Sequence, residues 1–219
     1  MYTIGVDSGT QGTKALLVEM ASGLVLGRGY SRHQTVKGLQ PGESEQSPET
    51  WIEAMKMSIK EALRNSSIDP ADVVSLGISG QQHGLVALDK SLNPIRPAKL
   101  WNDTSTVKET EEIIAAAGGQ RAFIEQSGLS LAVGYTASKI LWLKKHEPEN
   151  YSRLFCLLLP HNYLNFYLTG RLHMEYGDAS GTGLMDIRSR QWQIDIINLI
   201  DPQLIDKLPP LSPPGEPVG

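Results

Sequence analysis

Several features are scarce in this sequence of 219 residues. It has one cysteine, Cys156, which excludes an internal disulfide framework, and the apolar run LFCLLL around it predicts a buried, unreactive thiol. No apolar run approaches the length of a membrane span, and the chain begins with a strand-like segment rather than a basic region and an apolar signal core. We therefore expect a cytoplasmic protein with no membrane partner.

Positive charge and metal-ligand patterns are also scarce. Lysine and arginine together number 20 against 24 acidic residues, which gives a net charge of -4 and argues against nucleic acid as the main partner. His33, His146, His161 and His173 stand apart in the sequence with no ligand spacing between them, so the sequence predicts no zinc site. An apolar content of 40% is that of a globular protein, long enough here for one large domain or two small ones.

The first ninety residues alternate between strand and helix patterns. YTIGV, KALLVE and LVLGRGYS predict three strands joined by tight turns, and VVSLGIS predicts a buried fourth strand because its apolar character is unbroken. SPETWIEAMKMSIKEAL predicts a helix with Ser47 as N-cap, Pro48 at the first helical position and one apolar face. These elements predict a mixed sheet of the α/β class.

The remainder of the chain is mostly helical at first and then rich in turns. Helices are expected between Asp103 and about Leu168, and strands again in HMEYGDASGTGLMDIRSRQW. The segment LPPLSPPGEPVG holds five of the 13 prolines, which leaves no room for a helix or a central strand. We expect one domain over residues 1–207 and, over residues 208–219, a linker or the rim of a domain that continues elsewhere, as in a fragment.

The stretch GVDSGTQGTK places small and hydroxyl residues directly after a strand. Asp7 lies where that strand ends, and the turn of residues 9–13 has the uncovered backbone amides that can lie on a phosphate, since glycine lacks a Cβ and can take positive φ. Asp7 can hold Mg²⁺ through water, and Lys14 adds a mobile positive charge. The order of a Walker loop is absent. The alternative is a plain glycine-rich hairpin with Asp7 as turn former.

The stretch GISGQQHG repeats this arrangement after the fourth predicted strand. Gln81, Gln82 and His83 offer amide and imidazole groups at the carboxyl end of the strand, where open α/β sheets bind ligands. This set suits a polyhydroxylated ligand better than a phosphate. The alternative is that His83 is a structural residue.

A third polar group follows in LWNDTST. Trp101 can supply an apolar wall for a sugar face, and Asn102 and Asp103 can bond hydroxyl groups. Asp103 also has the position of an N-cap for the next helix, and the two roles are compatible.

These motifs together resemble a known family. D-S-G-T-Q-G-T-K is similar to the phosphate-binding hairpin of the sugar kinase, actin and Hsp70 superfamily, and with G-Q-Q-H-G and W-N-D it resembles the FGGY carbohydrate kinases, and among them the xylulose kinases. LLPHNYLNFYLTG and DASGTGLMDI extend the resemblance over essentially the whole chain. It implies a ribonuclease H-like lobe, with a mixed β-sheet flanked by helices and a helical insertion.

The resemblance also implies roles for particular residues. Asp7 would take part in catalysis by organising Mg²⁺ and the phosphates of ATP. The ATP phosphates would be surrounded by Gly9, Thr10, Gln11, Thr13 and Lys14. The ketose would be contacted by Gln82 and His83, next to Gln81 and beside Trp101, Asn102 and Asp103. Glycerol-kinase-like members carry arginine where this chain has Ser105, which argues against glycerol.

The implied reaction is phosphorylation of D-xylulose at O5 by ATP. Family members have a second lobe with the ATP adenosine site and a catalytic aspartate in a glycine-rich stretch that this sequence lacks, so we expect the chain alone to be inactive. The alternatives are another FGGY kinase, for gluconate, ribulose or an uncommon sugar, and a sugar-binding or regulatory module without catalysis. A homodimer of the full-length enzyme is left open.

Overall fold

The computed structural model describes residues 1–219, which divide into two compact units. The first unit comprises Met1–Thr35 and Ser47–Gln81, and the second comprises Val36–Gln46 and Gln82–Gly219. No helix combines the length and the apolar character that crossing a membrane requires.

The first unit is a four-stranded mixed sheet with one long helix. Its elements are β1 (Tyr2–Ser8), β2 (Gly12–Glu19), β3 (Val25–Arg32), α1 (Pro48–Ser66), a 3₁₀ turn at Pro70–Asp72 and β5 (Val73–Gly80). The sheet order is β3-β2-β1-β5, with β1 antiparallel to β2 and parallel to β5. The predicted hairpin strands, helix and mixed α/β sheet are therefore confirmed.

Helix α1 lies against β2 and β3 through the predicted apolar face, which includes Trp51 and Met55. Two glycines of β3 make this approach close: a Cβ on Gly27 would lie 2.1 Å from the Ala62 carbonyl oxygen, and one on Gly29 would lie 1.9 Å from that of Ser58. Ser47 is the N-cap as predicted, but its hydroxyl donates to the Glu49 carboxylate instead of capping the backbone.

The prediction of a buried fourth strand is wrong for β5. Val74 is 56% exposed and Leu76 38% exposed. The strand is at the edge of the sheet, and α1 covers β2 and β3. An unbroken apolar run indicates a strand with two covered faces, but it does not show which part of the chain supplies the cover.

The second unit is mainly helical, with four pairs of short strands. Its elements are β4 (Glu45–Gln46), β6 (Val86–Leu88), β7 (Ala98–Lys99), α2 (Val107–Ala116), α3 (Gln120–Ser127), α4 (Thr136–His146), α5 (Pro148–Arg153), β8 (Cys156–Leu158), α6 (Pro160–Thr169), β9 (Met174–Glu175), α7 (Tyr176–Ser180), β10 (Met185–Asp186), β11 (Gln191–Trp192), α8 (Ile194–Ile200), a 3₁₀ turn at Leu204–Lys207 and β12 (Leu211–Ser212). The pairs are β4 with β7, β6 with β8, β9 with β12 and β10 with β11.

The core of this unit is built from apolar side chains of its helices and of β6 and β8, among them Phe123, Ile140 and Leu157. Cys156 is buried as predicted, and burial raises the pKa of its thiol to about 11. One detail differs from the sequence predictions: the segment Tyr176–Ser180, expected to be extended, is a short helix. The proline-rich tail contributes only the two-residue strand β12, which pairs with β9 alone and is not a central strand.

Candidate functional site

The β1–β2 hairpin of the first unit carries a pair of opposite charges. Asp7 lies directly opposite Lys14 in the register, and both side chains are exposed. The next pair, Ser8 opposite Thr13, is buried because successive residues of a strand face opposite sides of the sheet. No hydrogen bond or ion pair engages the Asp7 carboxylate, so it is available to a ligand.

The turn of this hairpin is closed by a hydrogen bond of 3.1 Å from the Gly9 amide to the Gly12 carbonyl. Neither glycine has a positive φ, which corrects the expectation from the sequence. Gly12 is required for a different reason: a Cβ there would lie 2.6 Å from the Ser31 carbonyl oxygen and 2.7 Å from the Tyr30 ring. Close approach of β3 therefore fixes the glycine.

Thr13 supports the hairpin from within. Its side chain is fully buried, its hydroxyl lies 2.8 Å from His33 Nε2, and it donates to the Ser8 hydroxyl at 3.1 Å. The His33 amide also donates to the Gln11 carbonyl at 3.0 Å. Burial lowers the pKa of His33, opposed by hydrogen bonds with the backbone of Thr10 and Gly9. His33 belongs to the hairpin structure, a role that the sequence did not indicate.

The loop after β5 reaches both units. Gln81 is buried in the first unit, where its amide donates to the Ser8 carbonyl at 2.9 Å. Gln82 and His83 belong to the second unit, and Gln82 is exposed. Only Gln82 of the three predicted sugar ligands in this loop is thus freely exposed.

The backbone of His83 is held in an unusual conformation. Its φ is 58°, in the left-handed region that non-glycine residues rarely adopt. Its carbonyl accepts hydrogen bonds from Lys139 Nζ at 2.7 Å and from the Thr136 hydroxyl at 3.2 Å. Two side chains of helix α4 therefore fix the conformation of this loop residue.

The imidazole ring of His83 is fixed as well. It stacks on Tyr135 with a centroid distance of 4.5 Å, and a Cβ on Gly181 would lie 2.1 Å from its Cε1 atom. Burial lowers the pKa of His83, the charge of Lys139 lowers it further, and the Gly181 backbone and Asp178 oppose both effects. The ring is therefore neutral near pH 7, with one nitrogen that can donate and one that can accept.

Lys139 is a buried lysine that the sequence analysis missed. Its side chain is fully buried, and besides His83 it donates to the Gly134 carbonyl. Burial lowers its pKa to about 7, against the attraction of Asp103 and with the repulsion of Lys99. A neutral amine still has two N–H groups, one for each of these carbonyls. No local sequence pattern marks this lysine, because the His83 carbonyl that it bonds lies 56 positions earlier in the chain.

The third polar group has two exposed members and one buried member. Trp101 is 50% exposed, Asn102 is exposed, and Asp103 is 0% exposed. Asp103 accepts hydrogen bonds from the Ser44 amide at 2.9 Å, Lys99 Nζ at 3.2 Å and the Ser105 amide at 3.0 Å. It does not cap the next helix, because α2 begins at Val107 with Thr106 as N-cap. The Asp103 carboxylate therefore organises its own loop and is not open to a sugar.

The sequence comparisons identify the family. A profile of the N-terminal domain of the FGGY family of carbohydrate kinases matches residues 2–219. The chain belongs to this family. It is 42% identical over 208 residues to a xylulose kinase of Haemophilus influenzae, covering 93% of this chain and 42% of that protein. It is 36% identical over 218 residues to a xylulose kinase of Bacillus subtilis, covering 100% of this chain and 43% of that protein. The FGGY chain thus spans less than half the length of these relatives.

Solved structures agree with this family assignment. A xyloylose kinase from Brucella ovis superimposes with a TM-score of 0.88 at 30% identity, over 97% of this chain and 42% of that one. A gluconate kinase from Lactobacillus acidophilus superimposes with a TM-score of 0.86 at 22% identity, over 98% and 42%, and at that identity it shows the fold alone. The predicted fold class, the actin and Hsp70-like sugar kinase lobe with a mixed sheet flanked by helices, is confirmed.

Proposed function

We propose that this FGGY chain supplies the phosphate hairpin and the sugar-binding loop of an ATP-dependent D-xylulose kinase. The sugar hydroxyl at C5 would attack the γ-phosphorus, the bond to ADP would break, and the hydroxyl proton would pass to a base. The observation that carries the proposal is the clamped, neutral His83 ring, because a sugar hydroxyl both donates and accepts a hydrogen bond. The xylulose kinase relatives support the choice of sugar.

Binding of the ketose is assigned to residues of the second unit. His83 would bond one hydroxyl through an imidazole that is already oriented by Tyr135, so little side-chain freedom is lost on binding. Gln82 and Asn102 are exposed amides that can bond further hydroxyls, and half-exposed Trp101 can cover an apolar sugar face. Asp103 and Gln81 would act indirectly, by holding their loops.

The hairpin fits the ATP phosphates and Mg²⁺. Asp7 presents an exposed carboxylate without a protein partner, which suits a hard cation that keeps several of its waters. The ion would neutralise charge on the phosphate oxygens. Lys14, opposite Asp7, and the backbone of Gly9, Thr10 and Gln11 would lie against the phosphate tail. Thr13 would hold the turn from its buried side.

The general base is assigned to the part of the relatives' length that this chain does not cover, since it spans 42% of the Haemophilus influenzae protein. Phosphoryl transfer depends on positioning and charge neutralisation around both substrates. We therefore propose that the 219 residues alone do not turn over ATP.

A panel of sugars given to the whole protein tests this function. ADP release should be fastest with D-xylulose, with kcat/KM at least about tenfold above that for gluconate, ribulose and glycerol, because selectivity depends on a few hydroxyl contacts. A higher kcat/KM for another sugar in the panel would reassign the substrate, and no sugar-dependent ADP at all would refute the kinase proposal. The 219-residue chain, assayed alongside, should release no ADP.

A further inference from the structure

His161 of α6 lies within hydrogen-bonding distance of two carboxylates in the second unit. Its Nε2 lies 3.0 Å from Glu175 Oε2, and its Nδ1 lies 2.5 Å from Asp178 Oδ2. His161 is 7% exposed, and the side chains of Glu175 and Asp178 are 23% and 11% exposed. This cluster is separate from the groups assigned above to the sugar and the phosphates, and it offers three ligand atoms that one metal ion could reach.

Asn162 brings a fourth group to this cluster and is itself fully buried. Its amide nitrogen lies 3.1 Å from His161 Nε2 and 3.1 Å from Glu175 Oε2. His161 Nε2 and Glu175 Oε2 are 3.0 Å apart, so these two atoms and the Asn162 amide nitrogen form a nearly equilateral triangle. Ligand atoms bound at about 2.0–2.1 Å are separated by about 2.8–3.0 Å in octahedral geometry and about 3.3–3.4 Å in tetrahedral geometry, so the triangle has the size of one face of a coordination sphere.

Protons alone leave polar atoms of this triangle poorly matched. When Nε2 donates to Glu175, the Asn162 amide nitrogen faces another donor, while Asn162 Oδ1 is buried without a hydrogen-bond partner. Nitrogen and oxygen of an amide are nearly equivalent in shape, and their assignment follows the hydrogen-bond network. With the amide turned over, Oδ1 joins the triangle, and one nitrogen and two oxygens face the same point.

The charge of the cluster also favours a cation. Glu175 and Asp178 bring two carboxylates to the cluster, and no lysine or arginine forms an ion pair with either of them. A divalent ion with a neutral imidazole would bring the total to zero, which matters in a poorly hydrated site.

We propose that His161 Nε2, Glu175 Oε2 and Asn162 Oδ1 bind one divalent transition-metal ion of the Zn²⁺ type, with Asp178 as the acceptor that orients the imidazole. A carboxylate on the second ring nitrogen is the usual support of a metal-bound histidine. The imidazole ligand selects Zn²⁺ over Mg²⁺, which prefers oxygen and keeps its waters. The ion would join α6 to the segment of β9 and α7, which ends at Gly181 beneath the His83 ring.

Titration of Zn²⁺ into the metal-free 219-residue protein tests the site. We expect one ion per chain, no displacement by excess Mg²⁺, and an affinity at least about tenfold weaker in His161→Gln and Glu175→Gln. Asp178→Asn should weaken binding by about 10- to 100-fold, as expected for an orienting carboxylate. His146→Gln is the matched control, because His146 Nε2 also lies 3.0 Å from a carboxylate, that of Glu109, but on a half-exposed ring.

A measurement on the unmodified protein covers the case in which the variants do not fold. In long-range proton–nitrogen NMR spectra, Zn²⁺ should move the Nε2 resonance of His161 and leave those of the other four histidines in place. Absence of saturable binding, equal affinity in His161→Gln, or a shift at another histidine would each refute the site. These readouts do not involve sugar or ATP, so they stand apart from the kinase proposal.

Discussion

The hairpin around Asp7 and the loop around His83 prepare a functional side chain in opposite ways. Asp7 extends from a regular strand, its backbone is paired on both sides, and its carboxylate forms no hydrogen bond or ion pair. His83 has a strained backbone whose carbonyl is hydrogen-bonded by Lys139 and Thr136. Its ring packs between Tyr135 and Gly181.

The difference follows from what each group would do. A carboxylate that holds Mg²⁺ through water needs charge and access, and the ion with its waters supplies the geometry. An imidazole that recognises a sugar hydroxyl must place its ring nitrogen at hydrogen-bonding distance and angle, so the ring has to be oriented before the ligand binds. Loss of Asp7 should therefore remove chemistry only, whereas His83 can be disabled by changes to residues that touch no ligand.

The largest effect is expected from Asp7→Ala. In the whole protein kcat should fall by about a thousandfold or more, because the Mg²⁺ and phosphate contacts act in the transition state. The free energy of unfolding should stay within about 0.5 kcal/mol of the unmodified protein, since the side chain is exposed and unpaired. Steady-state kinetics and urea unfolding measure the two quantities.

Asp72→Ala is the matched control for this change, because Asp72 is also an exposed aspartate of the first unit. It should alter neither the turnover nor the stability. A folded Asp7→Ala protein with normal kcat would remove Asp7 from the mechanism, and an unfolded one would show that its role is structural.

Gly181→Ala should have the next largest effect, and it tests the contacts of Tyr135 and Gly181 that orient the His83 ring. The new Cβ would collide with the His83 ring, so the ring would have to leave its stacked position on Tyr135. We expect KM for D-xylulose to rise by about 30-fold or more while KM for ATP stays within about twofold. Initial rates with each substrate varied in turn separate the two constants.

Gly177→Ala is the control for this substitution, because a Cβ there meets only Glu175 Oε1 at an ordinary 3.7 Å. It should leave both KM values unchanged. An unaltered KM for D-xylulose in Gly181→Ala would mean that the orientation of His83 does not matter to the sugar.

The same contrast explains how much the sequence could predict. The hairpin is local: Asp7 and Lys14 are seven positions apart, and their pairing follows from alternation along two strands joined by a short turn. The strands, α1, the parallel return of β5 and the role of Asp7 could accordingly be proposed from the pattern. The uncovered face of β5 could not, because it depends on where α1 packs.

The His83 loop is built from distant parts of the chain. Lys139 and Gly181 are 56 and 98 positions beyond His83, and no local pattern connects them. For the same reason the histidine spacing gave no sign of the metal site proposed above, since Glu175 is 14 positions beyond His161 and carboxylates are too common to mark a site by spacing. Asp103 was misjudged in a related way: its sequence suits a helix cap, but Lys99 and the Ser44 amide bind the carboxylate.

Lys139→Met should have the smallest effect, and it tests the hydrogen bonds to the backbone of the His83 loop while leaving the contacts of the ring in place. The variant loses the donor to the His83 and Gly134 carbonyls, so kcat/KM for D-xylulose should fall by about tenfold, the value of one hydrogen bond. The pKa of Lys139 is about 7 in the folded protein and about 10.5 in the unfolded chain. Between these two pH values the unfolded chain therefore binds more protons than the folded protein does. Stability contributed by this group therefore rises with pH across that window and is lost as the pH falls toward 7.

Urea unfolding at pH 7, 8 and 9 measures this contribution as the difference between the unmodified protein and Lys139→Met. The difference should grow in favour of the unmodified protein by up to about 1.4 kcal/mol per pH unit. Lys144→Met serves as the control, because Lys144 lies on the same helix and its side chain is 38% exposed. A pH-independent difference for Lys139→Met would show that Lys139 keeps its charge in the folded state, and the His83 carbonyl would then be bonded by an ammonium ion rather than by a neutral amine.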